Sequence, residues 1–137
     1  MNKKLLSMAF AALLFSANAF AQTKNYQLSS HILDINSGKP AAGVKIILSK
    51  FDKGNNTWNV VEERFTDENG RVKDFLEENN NNKGIYKLTY NVAPYFESKS
   101  QETFYPYIDV VFEIKDDNHY HVPITLSPFG YSTYRGS

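Results

Sequence analysis

The chain contains no cysteine. That excludes disulfides, a thiol nucleophile and any thiolate metal site, so its stability must come from packing and from association. A surplus of positive charge is also missing, since 15 Lys and Arg stand against 15 Asp and Glu. Non-specific binding to nucleic acid needs excess cations to displace counterions, and that class of function is excluded. Histidine is scarce at three residues, which limits the candidates for proton transfer near neutral pH to His31, His119 and His121. Long apolar runs are lacking except Leu5 to Phe15. That run falls short of the about 20 residues that span a bilayer, so no membrane-spanning helix is expected. There is no twin-arginine pair and no internal repeat.

The short apolar run has another reading. Lys3 and Lys4 precede it and Ala19-Phe20-Ala21 follows it, the layout of a cleaved export leader. The expectation is a signal peptide over 1–21 with cleavage before Gln22, and a periplasmic product if the source is a Gram-negative bacterium. Residues 22–137 then form one soluble domain, slightly acidic once Lys3 and Lys4 are gone. A single core is within reach of a domain this size, with 10 Phe and 9 Tyr in the chain to supply it.

The hydrophobic pattern has the period of strands. Ile108, Val110, Phe112 and Ile114 fall on one face, with Asp109 and Glu113 on the other. Tyr86, Leu88 and Tyr90 alternate with Lys87 and Thr89, and Val44, Ile46 and Leu48 alternate with Lys45 and Ser49 apart from Ile47. Turn chemistry separates the runs at Asn36-Ser37-Gly38-Lys39-Pro40, Lys53-Gly54-Asn55-Asn56 and Glu68-Asn69-Gly70. Strands are expected at 26–34, 43–51, 57–66, 71–74, 84–91, 105–115, 119–127 and 130–135. One short helix is expected from Ala93 to Gln101, with Pro94 in its first turn. The asparagine-rich stretch from Glu77 to Lys83 reads as a long surface loop. About eight short strands at this spacing predict an all-β fold of two packed sheets.

Two segments carry a family resemblance. Near the start, Leu28-Ser29-Ser30-His31-Ile32-Leu33-Asp34 runs on to Gly38-Lys39-Pro40-Ala41-Ala42-Gly43-Val44. At the end, His119-Tyr120-His121-Val122-Pro123 leads through Leu126-Ser127-Pro128-Phe129-Gly130-Tyr131-Ser132-Thr133 to Tyr134-Arg135-Gly136-Ser137. Both resemble the signatures of the 5-hydroxyisourate hydrolases, the enzymatic branch of the transthyretin family. Gly84-Ile85-Tyr86-Lys87 is similar to the family's fifth strand. Phe129 departs from the pattern, where the family often has Tyr.

The resemblance implies a transthyretin-like (prealbumin-like) sandwich with one short helix after the fifth strand. It also implies a homotetramer, a dimer of dimers, with active sites in the channel where the dimers meet. The implied activity is hydrolysis of 5-hydroxyisourate to 2-oxo-4-hydroxy-4-carboxy-5-ureidoimidazoline, without metal or cofactor. His31 and His121 match the catalytic pair, and Arg71 matches the substrate-binding arginine. Tyr134, Arg135, Gly136 and Ser137 are implied to line the site, with Ser137 as a third catalytic residue near the reacting ring, and Ser132 lies on the same face as Tyr134.

The residue chemistry is consistent with those roles. An imidazole titrates near neutral pH and can take a proton from water. A guanidinium offers a planar fork of donors to the oxygens of a flat heterocycle. Against this, His31 on its own reads as a half-exposed strand histidine, and Arg71 as a solvated strand-edge cation. His119 is expected to be exposed and structural. His119-x-His121 makes only a weak half-site for zinc, which usually takes three or more protein ligands. The alternative function is a transthyretin-type carrier of small aromatic ligands, and a third is an adhesive sandwich module. A carrier has no need of the His31, Arg71, His121 and Tyr-Arg-Gly-Ser set.

Overall fold

Strands with one buried face follow the alternating runs, and residues 23–137 are described by the structure, a computed structural model. In chain order the elements are β1 (Tyr26–Asp34), β2 (Lys39–Pro40), β3 (Lys45–Asp52), β4 (Thr57–Phe65), β5 (Arg71–Glu77), β6 (Gly84–Asn91), α1 (Ala93–Glu97), β7 (Ile108–Ile114), β8 (Tyr120–Ser127) and β9 (Gly130–Thr133). The expected leader over 1–21 lies outside the described residues. No helix among the described residues is long and apolar enough to cross a membrane.

Two sheets form the predicted sandwich. In one, β1 pairs antiparallel with β2 and β5 on one side and parallel with β8 on the other, and β9 follows β8. The other has the order β4-β3-β6-β7, antiparallel throughout. Their inner faces meet in a core that includes Leu28, Ile32, Phe75, Ile124 and Leu126 against Ile46, Leu48, Tyr86, Leu88 and Tyr90, all at most 1% exposed.

Several boundaries differ from the sequence reading. The helix follows the sixth strand, because Lys39 and Pro40 pair with Asp34 and Leu33 as a two-residue strand that no periodicity announces. It stops at Glu97, where Ser100 takes a left-handed conformation (φ 55°) and the amides of Ser100 and Gln101 turn back onto the carbonyls of Glu97 and Phe96. β7 begins only at Ile108, after Pro106, which has no amide hydrogen for a ladder. β5 runs on to Glu77, where burial of Phe75 and Leu76 rewards pairing with β1 across a bulge between Leu28 and Ser30. Within the asparagine-rich loop Asn82 is buried. Its amide donates to Gln27 Oε1 and the Glu77 carbonyl, and its own carbonyl accepts from the Tyr86 hydroxyl.

A polar clamp crosses the core directly beneath the outer face of β1 and β8. Ser30 Oγ donates to the Val122 carbonyl at 2.8 Å and shares a 2.8 Å hydrogen bond with the Tyr90 hydroxyl from the opposite sheet. Burial pushes the Tyr90 phenol far above its ordinary range, so it stays protonated and available to bond. Removing that hydroxyl in Tyr90→Phe deletes one inter-sheet hydrogen bond, at a cost of about 1 kcal/mol. The expected thermal midpoint falls by about 4 °C. An unchanged midpoint in calorimetry would show that the clamp contributes nothing.

Candidate active site

The site is built on the outer face of the β1 sheet. The register sets Arg71 of β5 opposite His31 of β1, and on the other side sets Ser29 opposite His121 and His31 opposite Pro123 of β8. Neighbouring strands lie about 4.8 Å apart, so a guanidinium and two imidazoles share one surface across three strands. Side chains alternate between faces, and Ser29 and His31 point outward between the buried Leu28, Ser30 and Ile32.

The turn before β5 is shaped to present Arg71. Asp67 Oδ1 accepts the amides of Asn69 and Arg71 at 2.8 and 2.9 Å, and the Gly70 amide donates to the Asp67 carbonyl. Gly70 has φ +70°, and a Cβ there would lie 2.5 Å from the Ile32 carbonyl oxygen, which makes glycine obligatory. The Ile32 amide bonds the Gly70 carbonyl at 2.8 Å and ties this turn to β1 beside His31.

Residues 134–137 close the other side. The Gly136 amide donates to the His121 carbonyl at 2.8 Å in an isolated bridge beyond β9. A Cβ at Gly136 would sit 2.5 Å from His121 Cδ2, so the backbone lies flat against the imidazole. The result is a cleft of about 450 Å³ lined by His31, Arg71, His121, Tyr134, Gly136 and Ser137, together with Ser29, His119 and Pro123. Its lining includes no Asp or Glu side chain.

Six of the eight residues expected at the site therefore meet in one cleft. Ser132 and Arg135 stand elsewhere. Ser132 pairs with Thr125 in the β8–β9 ladder and is exposed, outside the cleft lining. Arg135 points the other way, its guanidinium 4.7 Å from the centre of the Tyr120 ring, in a neighbouring hollow of about 260 Å³. Three lining residues, Ser29, His119 and Pro123, were not picked out as functional from the sequence. Ser29 bonds both His121 Nδ1 at 2.7 Å and His119 Nε2 at 2.9 Å. His119 is exposed as expected, yet it lies at the cleft and bonds the Tyr26 carbonyl through Nδ1 at 3.0 Å. Parity hints at Ser29 and His119, since each lies two residues from a site histidine, Ser29 on β1 and His119 just before β8.

Burial depresses the pKa of His31 and of His121 below the usual imidazole value, and the Arg71 charge adds to the effect in each. For His121 the neighbouring His31 and His119 push the same way, against a backbone hydrogen-bonding contribution from Ser29. Both shifts favour the neutral ring, the form able to accept a proton. Among the described residues no group of three or more His, Cys, Asp or Glu is placed to hold a metal ion.

The depressed values predict the acid limb of the rate profile. Activity that needs a neutral imidazole should persist below pH 6.5, the ordinary imidazole value, and fall only at lower pH. Stability follows the same sign. The unfolded chain takes up these protons first as pH drops through 6.5, so the folded state weakens toward acid. A kcat/KM profile whose acid limb lies above pH 6.5 would contradict the neutral pair.

Paired imidazoles beside a guanidinium, in a cleft on the face of a two-sheet sandwich, supply the proton acceptors and the oxyanion partner that a hydrolase needs. The chain belongs to the HIUase/Transthyretin family, whose profile matches residues 28–136. It is 45% identical over 138 residues to a protein of Caenorhabditis elegans named probable 5-hydroxyisourate hydrolase, covering 100% of both chains. Its fold resembles the 5-hydroxyisourate hydrolase of Klebsiella pneumoniae, with TM-score 0.69, 35% identity, and coverage of 80% of this chain and 98% of that one. Sea bream transthyretin in complex with thyroxine shares the fold at TM-score 0.75 and 26% identity, over 80% of this chain and 94% of that one.

Proposed function

We propose that this chain hydrolyses 5-hydroxyisourate to 2-oxo-4-hydroxy-4-carboxy-5-ureidoimidazoline. The observation that carries the reading is the row of Arg71, His31 and His121 across three adjacent strands, closed by Gly136. One imidazole takes a proton from water as the oxygen attacks a ring carbonyl carbon. The tetrahedral intermediate then breaks its carbon–nitrogen bond, and the leaving ring nitrogen takes up a proton equivalent to the one the imidazole removed from water, which returns the site to its starting state. Arg71 donates hydrogen bonds to the oxygen that gains charge. Tyr134 and Ser137 contribute hydroxyls to hold the flat ring.

The leader over 1–21 is read as directing export, which would place the activity in the periplasm of a Gram-negative cell. The assembly is proposed to be a homotetramer, a dimer of dimers with the cleft facing the boundary between dimers. Support comes from the exposed apolar side chains Val111, Phe129 and Tyr131 and from the openness of the cleft to solvent on one sheet face.

The test is a spectroscopic assay on freshly generated 5-hydroxyisourate. The purified protein should accelerate loss of the substrate chromophore well above the spontaneous rate. Saturable binding without accelerated loss would identify a carrier of aromatic ligands and overturn the enzymatic reading.

A further inference from the structure

The two polar residues added to the cleft, Ser29 and His119, form a hydrogen-bonded chain with a fixed direction. It runs from the Tyr26 carbonyl to His119 Nδ1 at 3.0 Å, from His119 Nε2 to Ser29 Oγ at 2.9 Å, and from Ser29 Oγ to His121 Nδ1 at 2.7 Å. A carbonyl oxygen can only accept, so His119 Nδ1 carries the hydrogen. In the neutral ring Nε2 is then an acceptor, and it takes the single hydroxyl hydrogen of Ser29. Ser29 Oγ has no second hydrogen to give, so it accepts from His121 Nδ1–H. The proton of neutral His121 is thereby placed on Nδ1, and the Nε2 lone pair is left free on a ring that lines the cleft.

We propose that Ser29 and His119 are positioning residues that lock His121 into the Nδ1–H tautomer and so make its Nε2 the base that receives the proton from water. The strand register supports this. Ser29 is the cross-strand partner of His121 in the parallel β1–β8 pair, so the backbone ladder brings the hydroxyl to the ring. Tyr26 and Ser29 both belong to β1, so one strand supplies both the hydroxyl and the carbonyl that begins the chain. The Gly136 backbone lies so close to Cδ2, the carbon next to Nε2, that an added Cβ would stand 2.5 Å from it. The second ring nitrogen of a functional histidine is generally what sets the state of the first.

This inference rests on the hydrolytic reading for its kinetic part only. The tautomer itself can be read without substrate, from the ¹⁵N shifts of histidine-labelled protein at a pH where His121 is neutral. Wild-type protein should show His121 protonated at Nδ1. Ser29→Ala should shift it toward the Nε2–H form that a free histidine side chain prefers. His119→Ala should do the same, because the Ser29 hydrogen is released to point at Nδ1. In turnover, Ser29→Ala should lower kcat about tenfold with KM little changed, and Ser29→Thr, which keeps the hydroxyl, should recover most of it. An Nε2–H signal from His121 in the wild type overturns the proposal whether or not the substrate is consumed. Equal kcat in Ser29→Ala and wild type overturns the positioning role. Failure of the wild type to open 5-hydroxyisourate, with the Nδ1–H signal present, overturns the functional reading and leaves the tautomer lock standing.

Discussion

His121→Ala is expected to lower kcat by about 100-fold or more while leaving the fold intact, the usual scale for losing a general base. The two halves of that statement have separate causes. The imidazole is only part-buried on the outer face of β8, whereas its neighbours Tyr120 and Val122 fill the core, so the sandwich loses little packing when the ring is removed. The rate depends on the ring itself, because water needs an acceptor with a lone pair in the cleft. His31 remains in His121→Ala, its pKa also lowered by burial and Arg71, but its register partners are Arg71 and Pro123, with no serine facing it across β8. A second base of equal competence would appear as a loss much smaller than 100-fold. Steady-state kinetics beside a thermal melt of the same preparation separates the cases. Wild-type kcat in His121→Ala would remove this ring from the chemistry.

Much of this was legible in the sequence because both sheets obey a period of two. The alternation at Ile108 to Ile114 and at Tyr86 to Tyr90 marks a buried and an exposed face, and the structure buries Tyr86, Leu88, Tyr90, Ile108, Val110 and Ile114 as that pattern requires. What alternation cannot encode is which strands become neighbours. β1 and β8 lie about 90 residues apart and run parallel, and that single pairing sets Ser29 opposite His121. No local pattern announces it; the two-residue spacing from His31 is the one hint at Ser29, and His119 read as a structural residue. The two-residue β2 escaped for a related reason, since Lys39 and Pro40 are too few to show a period and pair only because the turn returns them to Leu33 and Asp34.

Residues 134–137 show the same limit more sharply. A regular extension of β9 would give Ser132 and Tyr134 one face and extend the strand to 135. The ladder with β8 instead ends at Thr133, and the next backbone contact is the single bridge from Gly136 to His121. The break in regular pairing sends Arg135 over the Tyr120 ring while Tyr134 and Gly136 line the cleft. Motif matching identifies all four residues together, whereas the geometry divides them between two surfaces.

That division makes Gly136 a sharp test of how the cleft is assembled. Its backbone angles do not demand glycine; the close approach to His121 does. A Cβ would stand 2.5 Å from His121 Cδ2, a distance that carbon atoms do not tolerate, and a tight 3.2 Å from both Cγ and Cβ of the same residue. Gly136→Val must therefore either rotate the ring out of its bond with Ser29 or break the 2.8 Å hydrogen bond that holds residue 136 to the His121 carbonyl. Either movement displaces the proton acceptor by about 1 Å, a misplacement that can cost about 100-fold in rate. The expected result is a fall in kcat/KM of about that size with the thermal midpoint nearly unchanged, because residue 136 lies outside the core. Gly136→Ala should show the same direction with a smaller loss. Wild-type kinetics in Gly136→Val would mean that the 134–137 segment does not hold the imidazole in its working position, and closure of the cleft by that segment would have to be abandoned.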